Sequence, residues 1–184
     1  MNVEEDNIKQ HLMLDLETLS LASNAAILSV GVALFSLNGE VEALYHKRVK
    51  LDSCLKAGLH VDAETIEWWM KQPEENRNRL FALGEKDLDK VMWEIDELVH
   101  SVISGPRYIW SHGSNFDTVV YENASKAVNH RFKVWWSYKD VRDTRTLFDL
   151  ANYKYTAKGG HDALDDAMNQ AKAVCEAYKQ LFKL

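Results

Sequence analysis

Cysteine is scarce in this chain: Cys54 and Cys175 are the only two, far apart and without paired spacing. That excludes a disulfide framework and reads as reduced thiols in a cytoplasmic setting. A membrane span is missing too, because the longest apolar stretch, Ala25 to Leu37, is interrupted by Ser29 and falls short of the required length. The opening MNVEEDNIKQ is acidic and polar where a secretory or transit signal needs a basic or apolar segment. Positive charge is in deficit. With 22 Lys and Arg against 28 Asp and Glu the formal net charge is -6, which argues against a broad basic surface that coats duplex nucleic acid. It leaves room for a protein that grips a chain end. There is no internal repeat, low-complexity segment or interdomain linker, so residues 1–184 are expected to form one domain around one core.

What is present begins with Leu12-Met13-Leu14-Asp15-Leu16-Glu17-Thr18, an apolar run that reads as a buried strand. Side chains two apart on a strand share a face, so Asp15 and Glu17 present their carboxylates together at that strand's end. No Lys or Arg adjoins them, and a buried charge needs a partner. A divalent metal ion would supply one. The plain alternative is a strand emerging into solvent, with Asp15 starting a turn.

Further along, Ala26 to Phe35 reads as a second central strand. Asn38-Gly39 is a hairpin signal that turns Val41 to Val49 back antiparallel as a third. Val61 to Gln72 reads as a helix starting at Asp62 or Ala63 and stopped by Pro73, and Glu74 to Phe81 as a short second one. Asp87 to Ile103 carries an amphipathic stripe that ends at Gly105-Pro106. Arg107 to Ser111 is a short fourth strand. Ser114 or Asn115 would cap a helix running to about Val128. Phe132 to Tyr138 is a strand or packed connection, Val141 to Tyr153 a helix, Lys158-Gly159-Gly160 a flexible loop, and Ala163 to Phe182 a last long helix. A strand meander followed by alternating helices and strands predicts a layered α/β domain.

Acids recur at two more structural transitions. Asp117, in Asn115-Phe116-Asp117, falls in a first helical turn, where the helix dipole alone favours an acid. His161 follows Gly159-Gly160, and Asp162, Asp165 and Asp166 crowd the first turns of the final helix, more acids than capping needs. A histidine beside such a cluster fits a proton acceptor serving a metal site.

DLET at 15–18, NFD at 115–117 and His161 with Asp166 five residues on resemble, in order and spacing, the three motifs of the DEDDh exonuclease superfamily. TIEWW at 65–69, SHGSNFD at 111–117, VRDTRTL at 141–147 and HDALDDA at 161–167 are similar to a subfamily of phage-type exodeoxyribonucleases and an adenosine-specific exoribonuclease. The resemblance implies a ribonuclease H-like α/β fold with a mixed central sheet flanked by helices, the first three strands antiparallel and later ones parallel to the first. It implies that Asp15, Glu17, Asp117 and Asp166 bind two Mg2+ or Mn2+ ions with His161 as general base. The activity implied is a two-metal 3'-5' exonuclease that releases nucleoside 5'-monophosphates from single-stranded DNA or RNA 3' ends, DNA slightly favoured from the phage-type likeness. The family spacing selects Asp166 over Asp162 and Asp165. Asp162 is left an outer role.

Thr18, Trp69, Phe116, Arg142 and Arg145 are the expected substrate contacts. Trp68 and Trp69 are adjacent on a helix, so at most one should line a site, with core packing the alternative. Trp135 and Trp136 read as packing residues, and His112 as a satisfied loop histidine. Arg142 and Arg145, three apart on one helical face, would contact phosphate or base, or else pair with Asp140, Asp143 or Asp149. Related exonucleases are often dimers, which makes a homodimer one option. Two rival readings stay open: a catalytically silent nucleic-acid- or partner-binding module, and a phosphoesterase acting on very short oligonucleotides.

Overall fold

Alternation decides the first strand. In β1 (His11–Thr18), Leu12, Leu14 and Leu16 enter one apolar cluster while Met13 enters another, so the strand separates two layers of core. β2 (Ile27–Phe35) is buried at every position, as a central strand covered on both faces must be. β3 (Val41–Arg48) pairs antiparallel with β2 after the Asn38-Gly39 turn, where Gly39 adopts φ 110°. The computed structural model describes residues 10–103, 107–129, 133–157 and 160–183.

Four helices follow: α1 (Leu51–Lys56), α2 (Ala63–Met70), α3 (Glu74–Leu80) and α4 (Leu88–Val102). Asp62 caps α2 by accepting from the Thr65 N–H. Then come β4 (Tyr108–Ser111), α5 (Asp117–Val128), β5 (Val141–Asp143), α6 (Thr144–Ala151) and α7 (Ala163–Phe182). The sheet runs β3-β2-β1-β4-β5, with β1 antiparallel to β2 and parallel to β4, and β4 parallel to β5. This is the mixed sheet that the family resemblance implies. One face packs on residues of α4 and α5, the other on α6 and α7. No described helix is long and apolar enough to cross a membrane.

Two expected helices need correction. Val141 to Tyr153 is not one helix: Val141–Asp143 hydrogen-bonds beside β4 as an edge strand, and Asp143 then caps α6 by accepting from the Thr146 N–H. Arg142 and Arg145 therefore do not share a helical face. The helix after β4 starts at Asp117 with Phe116 at its N-cap and no side-chain cap. Ser114 is instead held by its own N–H, which donates to Asp143. The short helix α1, too brief to show periodicity, has no counterpart in the sequence reading. Of the two readings of Phe132 to Tyr138, residues 133–138 follow the packed connection and not the strand, with Trp135 and Trp136 buried in the core. Phe132, Gly105-Pro106, Lys158 and Gly159 lie outside the described residues.

Candidate functional site

The site begins where two strands part. β1 and β4 pair only over His11–Met13 and Tyr108–Trp110, so the far half of β1 has a free backbone edge on that side. Asp117, at the start of the helix that follows β4, fills the opening: its Oδ1 accepts the Leu16 N–H at 3.2 Å, between Asp15 and Glu17. This crevice lies beyond the carboxyl ends of parallel strands, where open α/β sheets usually bind ligands.

The other wall is α7. Gly31, paired with Asp15 in the sheet, lies against its first turn, and a Cβ built there would sit 2.1 Å from the Ala163 carbonyl oxygen. Only glycine allows that approach. Asp162 caps α7 by accepting from the Leu164 and Asp165 N–H groups, and it faces Arg79 at 3.6 Å and His46 at 3.8 Å. Of the three clustered acids, Asp165 is exposed, whereas Asp166 turns inward. Glu17, His161 and Asp166 each offer a ligand atom within 4.8 Å of the others. One turn past Asp166, Gln170 Nε2 donates to Asp15 Oδ1 at 2.7 Å. His161 is held at φ 46°, an uncommon conformation for a residue with a side chain.

Charge without compensation dominates the electrostatics. Burial, then the charges of Asp166, Asp117 and Asp162, push the Glu17 carboxyl up to about 8, against a smaller opposing effect of Arg79. Burial raises Asp117 to about 7 despite the Leu16 N–H and the Arg145 guanidinium. Asp15 is raised by burial and by Asp117 and Glu17, with the Gln170 amide opposing, and Asp166 by burial, with His161 opposing. Among the described residues, no Lys or Arg forms a salt bridge to any of these four acids. Four carboxylates kept together against their own repulsion offer hard oxygen donors that fit Mg2+ or Mn2+.

Beside Glu17 opens a cavity of about 430 Å³, lined among others by Leu16, Thr18, Trp68, Trp69 and Phe116. Thr18, Trp69 and Phe116 thus share one wall system with Glu17. The expectation that one tryptophan at most would face this region fails. The Trp69 Nε1–H donates to the Thr18 carbonyl and its ring is buried, yet the centroids of Trp68 and Trp69 lie 5.2 and 5.3 Å from that of His161. The indoles are wide enough to meet edge to face and reach the same imidazole.

Arg145 rests against Gly113 and acts on Asp117, whereas Arg142 is drawn away, its guanidinium 4.4 Å above the Tyr108 ring. His112 bonds Thr144 Oγ1 at 2.8 Å, a satisfied loop histidine. Arg79 and Gln170 escape the sequence reading. A lone glutamine four residues after an acid is a faint helical signal, and Arg79 reaches the site only through tertiary packing.

A mixed sheet with an acid-lined crevice at its parallel-strand ends is the architecture of a ribonuclease H-like nuclease. Solved structures agree on the fold. S. pombe Pop2p, in its Mg2+- and Mn2+-bound form, aligns at TM-score 0.56 and 13% identity over 95% of this chain and 84% of its own. The RNase domain of yeast Pop2 aligns at 0.58 and 11%, over 97% and 80%. E. coli Exonuclease I in complex with a dA16 oligonucleotide aligns at 0.58 and 16%, over 94% of this chain but only 42% of its own. No curated protein matches the sequence. Residues 10–178 match the family described as the 3'-5' exoribonuclease Rv2179c-like domain, and the chain belongs to it. It is a 3'-5' exonuclease, a hydrolase of phosphodiester bonds, as the motifs' resemblance implies.

Proposed function

We propose that this chain removes nucleoside 5'-monophosphates one at a time from the 3' end of single-stranded nucleic acid, with two Mg2+ or Mn2+ ions held by Asp15, Glu17, Asp117 and Asp166. The observation that carries the reading is the meeting of Glu17, His161 and Asp166 within 4.8 Å, beside Asp117, whose charge acts on Glu17, and Asp15, on which the charges of Asp117, Glu17 and Asp166 act. RNA is placed ahead of DNA because the family description names an exoribonuclease. The phage-type likeness leans the other way, and the assay below decides.

In this reading the cavity beside Glu17 receives the terminal nucleotide, with Trp68, 45% exposed, and Phe116 offering faces for its base. Arg145 supplies positive charge near Asp117 for a backbone phosphate. His161 takes the proton of the attacking water as its oxygen bonds to phosphorus, the bond from phosphorus to the penultimate 3' oxygen breaks, and that oxygen is protonated. The bound ions would activate the water and neutralise charge on the phosphate and the departing oxygen. Thr18 and Trp69 keep the cavity wall in shape through the Trp69 N–H to Thr18 carbonyl bond. The whole of residues 1–184 acts as one exonuclease domain in the cytoplasm, and we include a homodimer in the proposal.

The test uses 5'-labelled single-stranded RNA and DNA of mixed sequence with Mg2+, Mn2+ or EDTA. A metal-dependent ladder shortening from the 3' end, faster on RNA, is expected. Cleavage of dinucleotides alone would replace the reading with a short-oligonucleotide phosphoesterase, and binding without cleavage would replace it with a silent module. His161→Ala should lower kcat by roughly 10²-fold or more while metal affinity changes little. Light scattering at twice the chain mass would support the dimer.

A further inference from the structure

Gln170 is 5% exposed, and its two polar ends are treated differently. Nε2 donates to Asp15 Oδ1 at 2.7 Å, whereas Oε1 is buried without a hydrogen-bond partner among the described residues. Turning the amide over would set oxygen against oxygen at that distance, so the contact fixes its orientation. A buried amide oxygen with no donor is costly, and a methionine would fill similar space without that cost. The side chain is kept at a stability loss, and the group it serves is the Asp15 carboxylate, on which the charges of Asp117, Glu17 and Asp166 act.

We infer that Gln170 is a positioning residue that fixes the Asp15 carboxylate for cation binding, engaging Oδ1 so that Oδ2 is directed at the site. The inference rests on the proposed metal-dependent reading and deepens it. Three features of the fold make it specific. Gln170 lies four residues beyond Asp166 on α7, so both project from one helical face. That helix is seated against β2 at Gly31, the sheet partner of Asp15, which brings its face over β1. The donor is neutral as well: a lysine at 170 would occupy Asp15 as its own counter-ion and compete with any metal, while a glutamate would add a fifth negative charge. An amide holds the carboxylate and leaves its charge unspent. Outer-layer partners of metal ligands commonly act this way, and their loss typically costs 10–100-fold in affinity or activity.

The experiment is a calorimetric Mn2+ titration of the full chain and of Gln170→Met, beside thermal unfolding in EDTA and kcat and KM on a single-stranded oligonucleotide. Gln170→Met should unfold near the wild-type temperature in EDTA, because removing the orphaned Oε1 offsets the donor that Asp15 Oδ1 loses. It should bind Mn2+ roughly tenfold or more weakly and keep its KM for oligonucleotide at saturating metal. Gln170→Lys should lose Mn2+ binding further while remaining folded. Equal Mn2+ affinity in the wild type and a folded Gln170→Met protein would overturn the inference and leave the metal-dependent reading intact. A wild type that binds no Mn2+ would overturn that reading first. If Gln170→Met lowers the melting temperature in EDTA as much in an Asp15→Asn background as in the wild type, the glutamine serves the core rather than Asp15, which also overturns the inference.

Discussion

Glu17 shows what a buried acid without a cationic partner costs the fold. Its carboxyl titrates at about 8 in the fold against an ordinary 4.5, so between those pH values the folded chain holds a proton that the unfolded chain has released. Stability without metal therefore falls as pH rises through that window, by roughly 5 kcal/mol for the isolated group. Glu17→Gln should remove this slope: in EDTA at pH 8.5 the variant melts above the wild type, and saturating Mn2+ reverses the order. A variant less stable in EDTA at that pH would mean that the acids are not repelling one another. Asp15→Asn and Asp117→Asn should each cut nucleotide release by more than the roughly 10–100-fold typical of an outer partner, with circular dichroism unchanged. Trp68 stands at the cavity mouth, and Trp68→Ala should weaken oligonucleotide binding by about 1–3 kcal/mol, seen in KM more than in kcat.

At the level of elements, close packing decides what the site can be. α7 reaches the sheet because Gly31 faces the Ala163 backbone, and Gly31→Ala would push its first turn outward together with His161 and Asp166. The expected cost is about 1–3 kcal/mol in urea unfolding, accompanied by a fall in kcat. Normal turnover in a destabilised variant would show that this seat does not position the residues proposed to act in the crevice. Parts with long regular periodicity, such as α4, α7 and the β2–β3 hairpin, were legible in the sequence because pattern and tertiary burial agree there. Val141–Asp143 was not, since three residues reveal a strand only when β4 lies beside them. The two tryptophans were misjudged for a related reason: helical spacing states where a side chain starts, not how far an indole reaches. Asp15 and Glu17 are legible because paired acids at a strand's end break the local pattern, Asp117, His161 and Asp166 only through the motifs' resemblance, and Arg79 and Gln170 break nothing.

Across the whole molecule the balance of charge points the same way. A chain of formal charge -6 with four neighbouring carboxylates in its crevice should repel a phosphate backbone until cations are bound, so oligonucleotide affinity should depend on divalent ions far more than on the protein's own basic groups. Acid also acts at a distance from the crevice. Burial, then the charge of Arg142, hold His11 down to about 4 from 6.5, and its Nδ1 accepts from the Trp110 indole. Between those pH values the unfolded chain binds the extra proton, so stability falls as pH drops through the window, by about 3 kcal/mol. His11→Asn should lose that dependence in urea midpoints compared at pH 7 and pH 4.5, and an unchanged dependence would assign it to other groups. The most direct measurement of the central claim is a calorimetric titration of Mn2+ into the metal-free chain at pH 7.5 with a nucleoside 5'-monophosphate present, repeated on Asp15→Asn and Asp117→Asn. The account predicts two ions per chain, and at least roughly tenfold weaker binding in both variants. Affinity unchanged by either substitution, or no binding in the wild type, would contradict it.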